Sequence, residues 1–257
     1  MQRELFWPAL GGMVFTLFIL FPLVSIFVNL TPPQFIAGIS EPLALKALKL
    51  SAGTTLITTL IVAVLGVPMG YVLAKGKTWP VRLMDAMVDL PMVLPPAVAG
   101  IALLMAFGRR GLLGGYLNLF GIGLPFTTAA VIVAQIFVAG PFFIRSARNG
   151  FAAIDHYLEQ ASLTLGKTPW QTFWQVSIPL SAPSLLSGAV MTWARALGEF
   201  GATIMFAGNL PGVTQTLPLA IYTAMERDLN TALAMAAMMI FFSFLVIFLV
   251  KVVWRQG

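Results

Sequence analysis

The sequence predicts an all-α, polytopic membrane protein with six transmembrane helices. Three observations carry this expectation. Of the 257 residues, 59% are hydrophobic and only 9% are charged, with a mean hydropathy of +0.92, whereas a soluble domain carries about 25% charged residues. The apolar residues gather in six runs, 9–30, 51–74, 90–107, 126–144, 181–206 and 232–254, each close to the roughly 20 residues a helix needs to cross a bilayer. The runs also lack the alternation of a barrel strand, as the stretch from Leu56 to Gly66 shows. This composition excludes a soluble enzyme and a disordered chain. The absence of cysteine excludes a disulfide-stapled fold, thiol catalysis and thiolate metal sites.

The elements follow in order. Run 9–30 is too long for a signal-peptide core and no small-x-small cleavage site follows it cleanly, so it is expected to remain as the first span. Run 51–74 is a second, plain apolar helix. The third run opens on Pro91, Pro95 and Pro96, three prolines within six residues. Proline suits a first helical turn and disrupts an interior, so Pro95 and Pro96 mark either a helix start or a kink beside a path. Asp85 and Asp89 precede this run at helical spacing, but two carboxylates without further ligands make no metal site. Run 126–144 leads into the longest polar connection, residues 145–180. There Gly166 and Pro169 stand as a helix stop and start, so the connection reads as helix, turn, helix, and as a docking surface rather than a mere linker.

The fifth run holds two ionisable residues, Arg195 and Glu199, four positions apart and therefore able to pair on one helix face. Charge inside a bilayer costs about 2.5–3.5 kcal/mol per residue on insertion scales. The pair is either an internal salt bridge that orders the bundle or part of a permeation path. Gly198 and Gly201 beside it allow a helix break or close backbone approach, and Thr203 supplies a hydroxyl. Between this run and the sixth, residues 207–231 carry turn-forming sequence, including Gly208-Asn209-Leu210-Pro211-Gly212.

Net charge is +6, and the cations fall at helix ends, where they set topology rather than bind nucleic acid. With the N-terminus inside, nine Lys and Arg lie on the inner side (Arg3, Lys75, Lys77, Arg82, Arg145, Arg148, Lys167, Lys251, Arg255). Five lie outside (Lys46, Lys49, Arg109, Arg110, Arg227). The bias predicts that both termini are cytoplasmic. The one histidine, His156, belongs to no metal or catalytic motif, and no phosphate-binding loop is present; any use of ATP requires another chain.

The inner connection then carries a specific signal. Glu159-Gln160-Ala161-Ser162-Leu163-Thr164-Leu165-Gly166, followed thirteen residues later by Pro179 within Val176-Ser177-Ile178-Pro179, resembles the EAA loop of ABC-importer permeases. Gln160 stands where that family has its glutamate, with Glu159 one residue earlier, and Val176 stands where it has isoleucine. Either Glu159 or Gln160 is then the anchoring residue. Leu94-Pro95-Pro96, Phe107-Gly108-Arg109-Arg110-Gly111, Gly198-Glu199-Phe200-Gly201-Ala202-Thr203-Ile204 and Thr214-Gln215-Thr216-Leu217-Pro218 are similar to segments of the molybdate-type permeases, with tungstate and sulfate/thiosulfate permeases as close relatives.

The resemblance implies a type I importer fold, with residues 1–257 forming one permease domain in a prokaryotic plasma (inner) membrane. It implies transport of a tetrahedral oxyanion by two copies of this chain, two cytoplasmic ATPase subunits and an extracytoplasmic oxyanion-binding protein. ATP and Mg²⁺ would sit on the ATPases, with no cofactor and no catalytic residue in this chain. ATPase coupling would fall to Glu159, Gln160, Ala161, Gly166, Ile178 and Pro179, and the path or gate to Pro95, Pro96, Arg195, Gly198, Glu199, Gly201 and Thr203. A passive channel or ion-coupled carrier is the rival class; it has no evident use for a long helical inner loop. A membrane-embedded enzyme would need further catalytic groups beside Arg195 and Glu199.

Overall fold

The computed structural model describes residues 6–255. Arg3, counted among the inner cations, lies outside the described residues, as do the side chains of Lys251 and Arg255. All regular structure among the described residues is helical. Four helices are long and apolar enough to cross a membrane: α1 (Phe6–Val28), α3 (Pro42–Lys75), α7 (Thr128–Ala152) and α13 (Leu229–Arg255). A bent pair, α4 (Trp79–Val93) with α5 (Pro96–Phe107), makes a fifth if counted as one span. Of the six expected transmembrane helices, the described residues thus provide four, or five with the bent pair, by length and apolar composition.

Two runs differ from expectation for identifiable reasons. Run 90–107 does not form one helix: α4 ends at Val93, Leu94 and Pro95 are extended (ψ 135° at both), and the axis turns by 118°. Pro95 and Pro96 cannot donate backbone hydrogen bonds, and each biases the residue before it away from helix. The remaining helix α5 has 12 residues, about 18 Å at 1.5 Å per residue, well short of a bilayer core of about 30 Å. Run 181–206 likewise breaks into α10 (Ile178–Leu197) and α11 (Gly201–Phe206), separated by Gly198, Glu199 and Phe200. Other runs prove longer than expected. Helix α3 has 34 residues, and Lys46 and Lys49, expected in an outer loop, lie within it. Helix α7 continues to Ala152, so Arg145 and Arg148 are helical rather than in the connection.

Two compact units are distinguishable. Residues 49–218 form one, and the described residues on either side form the other. In the first, α7 packs against α10, α4, α5 and α11. One core cluster sets alanines against larger side chains: Ala99 and Leu103 of α5, Ala130, Val131, Ala134 and Val138 of α7, and Ala202 and Phe206 of α11 are all buried. Small side chains let membrane helices approach closely enough for dispersion to hold them.

A second device in this unit is polar. Ser51, Thr54, Thr55 and Thr58 of α3 recur at i, i+3, i+4 and i+7 and are all buried. Thr58 donates to Gln135 Oε1 of α7 at 2.9 Å, and Gln135 Nε2 donates to Thr54 Oγ1 at 3.2 Å. The Leu217 N–H donates to Ser51 Oγ at 2.7 Å. A buried amide without such partners would cost about 2 kcal/mol or more.

In the second unit α2 (Pro32–Ser40) and α1 pack on α13. Asp228 caps the start of α13, accepting the Thr231 N–H at 2.9 Å and the Thr231 hydroxyl at 2.6 Å; these bonds hold its carboxyl below the ordinary value. Phe18 and Phe21 of α1 and Phe244 of α13 are exposed, as expected of a lipid-facing surface.

Candidate functional site: a docking loop and two broken helices

The polar connection after α7 folds as a short helix, a glycine turn and a helix start. Helix α8 (His156–Thr164) begins at Asp155, whose side chain accepts the Tyr157 N–H at 2.9 Å. It stops at Gly166, with φ +86°, a left-handed conformation that costs other residues about 1–2 kcal/mol. Thr168 and Gln171 then form a reciprocal capping box for α9 (Pro169–Thr172). A π-turn follows at Phe173–Ser177, in which Ile178 N–H donates to Phe173 O five residues back, and the chain runs on into α10 through Ile178 and Pro179. The expected helix-turn-helix is thus present, with the second helix continuous into the membrane run.

The geometry separates the two candidate anchors. Glu159 is 7% exposed; its Oε2 lies 2.7 Å from Lys75 Nζ, and its Oε1 accepts from Ser177 Oγ at 2.9 Å. Gln160 is exposed, and its Nε2 lies 2.8 Å from the His156 ring. Ser162 and Thr172 hydroxyls meet at 2.9 Å, buried. Ala161 is exposed, and the outward surface carries Tyr157, Leu158, Leu165 and Trp170. Lys75 and Ser177 lie outside the site residues that the sequence points to; charge bias alone gives Lys75 a topological role.

At the broken helices, Arg195 Nη1 lies 2.9 Å from Glu199 Oε2, so the pair expected from spacing forms. The Glu199 side chain is 1% exposed and that of Arg195 30%. Glu199 Oε1 also accepts the Ala202 N–H at 2.8 Å, which ties the carboxylate to the start of α11. Pro96 and Gly201 come together: a Cβ on Gly201 would stand 2.5 Å from the Pro96 Cβ. Nearby, a Cβ on Gly100 would stand 2.6 Å from Met205 Cβ and 2.9 Å from Ala202 O. Gly198 is not part of this contact; a Cβ there would meet only Ala194 O at 3.8 Å. Thr203 is fully buried and its hydroxyl has no hydrogen-bond partner.

The two aspartates before the third run pair with arginines of α7. Arg145 bridges Asp85 and Asp89, and Arg148 reaches Asp85 at 3.2 Å. No group of His, Asp or Glu that could hold a metal ion occurs among the described residues.

Long apolar helices, two broken helices and a structured polar connection are features of a polytopic membrane protein. The chain belongs to the family described as "Binding-protein-dependent transport system inner membrane component", whose family model matches residues 66–255. It is accordingly a multi-pass inner-membrane transport component and not an enzyme. Among its relatives, the molybdenum transport system permease protein ModB of Mycobacterium tuberculosis is 42% identical over 247 residues, covering 96% of this chain and 92% of the relative. The probable sulfate transport system permease protein cysT of Chlorella vulgaris is 35% identical over 188 residues, covering 73% of this chain and 71% of the relative. The fold is that of solved ABC transporters. A bacterial transporter involved in the import of the acidic polysaccharide alginate matches with a TM-score of 0.79 at 13% identity, covering 99% of this chain and 96% of that one. The MetNI methionine transporter in inward-facing form matches with 0.66 at 20% identity, covering 84% and 98%.

Proposed function

We propose that this chain is the permease subunit of an ATP-driven importer that moves a tetrahedral oxyanion, molybdate, into the cytoplasm. The observation that carries this reading is the 42% identity to a molybdenum permease across 96% of the chain. The sulfate permease relative favours sulfate as the second reading.

In this reading residues 1–257 act as one permease domain with both termini cytoplasmic, and two copies enclose the path. An extracytoplasmic binding protein delivers the anion, and two ATPase subunits, which bind ATP and Mg²⁺, dock on the α8–α9 loop. Gln160, Ala161, Gly166 and the exposed Tyr157 and Leu165 face the ATPase, while Ile178 and Pro179 lead the motion into α10.

A dianion crossing a low-dielectric region needs donors and small residues in place of water, without a deep trap. The broken helices at Pro95, Pro96, Gly198 and Gly201 suit a gate, since irregular backbone at membrane depth persists where it is buried in protein or lines a cavity. Glu199 alone would repel an anion; Arg195 neutralises it, so the pair orders the gate without presenting net negative charge. The Thr203 hydroxyl, fully buried and without a hydrogen-bond partner, would serve as a donor there only once the helices part.

Proteoliposomes holding this chain, its ATPase and the binding protein are expected to accumulate labelled molybdate only with ATP, and not when the ATPase is omitted. Uptake without the ATPase would identify a channel or ion-coupled carrier instead. Gly166→Asp is expected to weaken co-purification of the ATPase while leaving membrane insertion intact, because the turn that aims α8 requires a positive φ. Unchanged co-purification would remove α8 from the docking surface.

A further inference from the structure

We propose that Lys75, Glu159 and Ser177 form an internal latch that makes α8 and the inner end of α3 move as one body. The proposal rests on the reading of the chain as an ATP-driven permease, and assigns Glu159 a positioning role inside the chain rather than a contact with the ATPase.

Helix α8 has nine residues, and its two buried residues, Glu159 and Ser162, are both polar. Apolar packing therefore does little to hold its inner face. What holds it is the Glu159 carboxylate, with one oxygen on the Lys75 ammonium and the other on the Ser177 hydroxyl, and the Ser162–Thr172 contact. Both carboxylate oxygens are thus committed within the chain. Charge-assisted hydrogen bonds at these distances are directional and stronger than neutral ones. Truncating one partner would leave the other charge unpaired in a largely buried place.

Each partner is fixed by its own element. Lys75 is the last residue of α3, where a cation also complements the helix dipole. Ser177 is fully buried and closes the π-turn; such widened turns often mark functional positions. Tyr71, one turn before Lys75, packs edge-on against Phe173 of the same π-turn at 4.9 Å between ring centroids and against Phe151 of α7 at 5.3 Å. A push on α8 therefore reaches α3 through an ion pair and α10 through the π-turn. Further along α3, the polar stripe Thr54–Thr58 is bonded to Gln135 of α7, so displacement of α3 is shared with α7. Gln160, on the exposed side, has no such link to α3 or α10.

The test uses Lys75→Met, Glu159→Gln, the charge exchange Lys75→Glu with Glu159→Lys, and the milder Ser177→Ala, each in the complete complex. Two readouts are needed. The first is molybdate accumulated per ATP hydrolysed: the single charge variants are expected to keep the ATPase bound and to lose about tenfold in this ratio, with the exchange recovering most of it, as for a direct pair in a double-mutant cycle. The second is amide hydrogen exchange of α8 in the detergent-solubilised chain, which does not depend on transport. It is expected to speed up about tenfold in Lys75→Met and Glu159→Gln, less in Ser177→Ala, and to return toward normal in the exchange variant. Unchanged exchange in the single variants overturns the latch. Loss of the bound ATPase in Glu159→Gln alone, without rescue by the exchange, also overturns it and makes Glu159 a direct ATPase contact. If wild-type complexes fail to accumulate molybdate while α8 exchange follows the predicted pattern, the functional reading falls and the latch stands.

Discussion

Glu199→Ala is expected to destabilise the chain by about 3–5 kcal/mol, the range for removing one partner of a buried ion pair, and to abolish uptake. Three consequences add in one direction. Arg195 keeps its charge and loses the carboxylate 2.9 Å away. The Ala202 N–H, which donates to Glu199 at 2.8 Å, loses its acceptor at the first turn of α11. The Glu199 side chain is 1% exposed, so water does not readily replace it. Partial exposure of Arg195 places the effect toward the lower end of the range. Glu199→Gln keeps an acceptor for Ala202 but not the charge, and is expected to fall between wild type and Glu199→Ala. Thermal unfolding of the purified chain in detergent, with uptake measured on the same samples, distinguishes the outcomes. Wild-type stability and uptake in Glu199→Gln would mean that the charge pair is dispensable.

The second large effect is expected at Gly201. A methyl group there meets Pro96 at 2.5 Å, and proline, as the first residue of α5, has no rotamer through which to retreat. Helices α5 and α11 must separate, and overpacking of this kind costs about 1–3 kcal/mol. Gly201→Ala is therefore expected to lower both stability and uptake, and Gly201→Val to eliminate uptake. Gly198→Ala supplies the contrast: its added Cβ finds only Ala194 O at 3.8 Å, at a φ of −84° that alanine tolerates, so stability should stay within about 0.5 kcal/mol of wild type. Uptake assays on the two alanine variants side by side check this. A crippled Gly198→Ala with a normal Gly201→Ala would show that the gate does not depend on the Pro96 contact.

Some of this site was legible in the chain and some was not, for physical reasons. The apolar runs of α1, α3, α7 and α13 announce spanning helices because hydropathy integrates over a whole membrane thickness. The same averaging does not register the breaks at Pro95 and Glu199; Pro95, Pro96, Gly198 and Gly201 point to them locally, but not to the 118° turn that follows. Local spacing revealed the Arg195–Glu199 pair, which lies on one helical turn. It could not reveal that Lys75 belongs with Glu159, since 84 positions separate them and only packing brings α3 to α8. For the same reason Gln160, which matches the family position, and Glu159, which is buried, could be told apart only by burial and bonding. Asp85 and Asp89 face Arg145 and Arg148 across two helices, a pairing that composition alone leaves open. The stripe Ser51, Thr54, Thr55 and Thr58 was within reach: four small hydroxyl residues at helical spacing inside an apolar run mark a buried polar face, and Gln135 is the amide that completes it.

On the proposed function, an ATP-driven complex containing this chain carries a tetrahedral oxyanion, molybdate. The most direct measurement is ATP-dependent uptake of labelled molybdate by the reconstituted complex, with tungstate and sulfate added as competitors. Uptake that tungstate suppresses strongly and sulfate weakly is expected. Sulfate competing as well as molybdate itself would contradict the substrate assignment, and uptake without ATP would contradict the class.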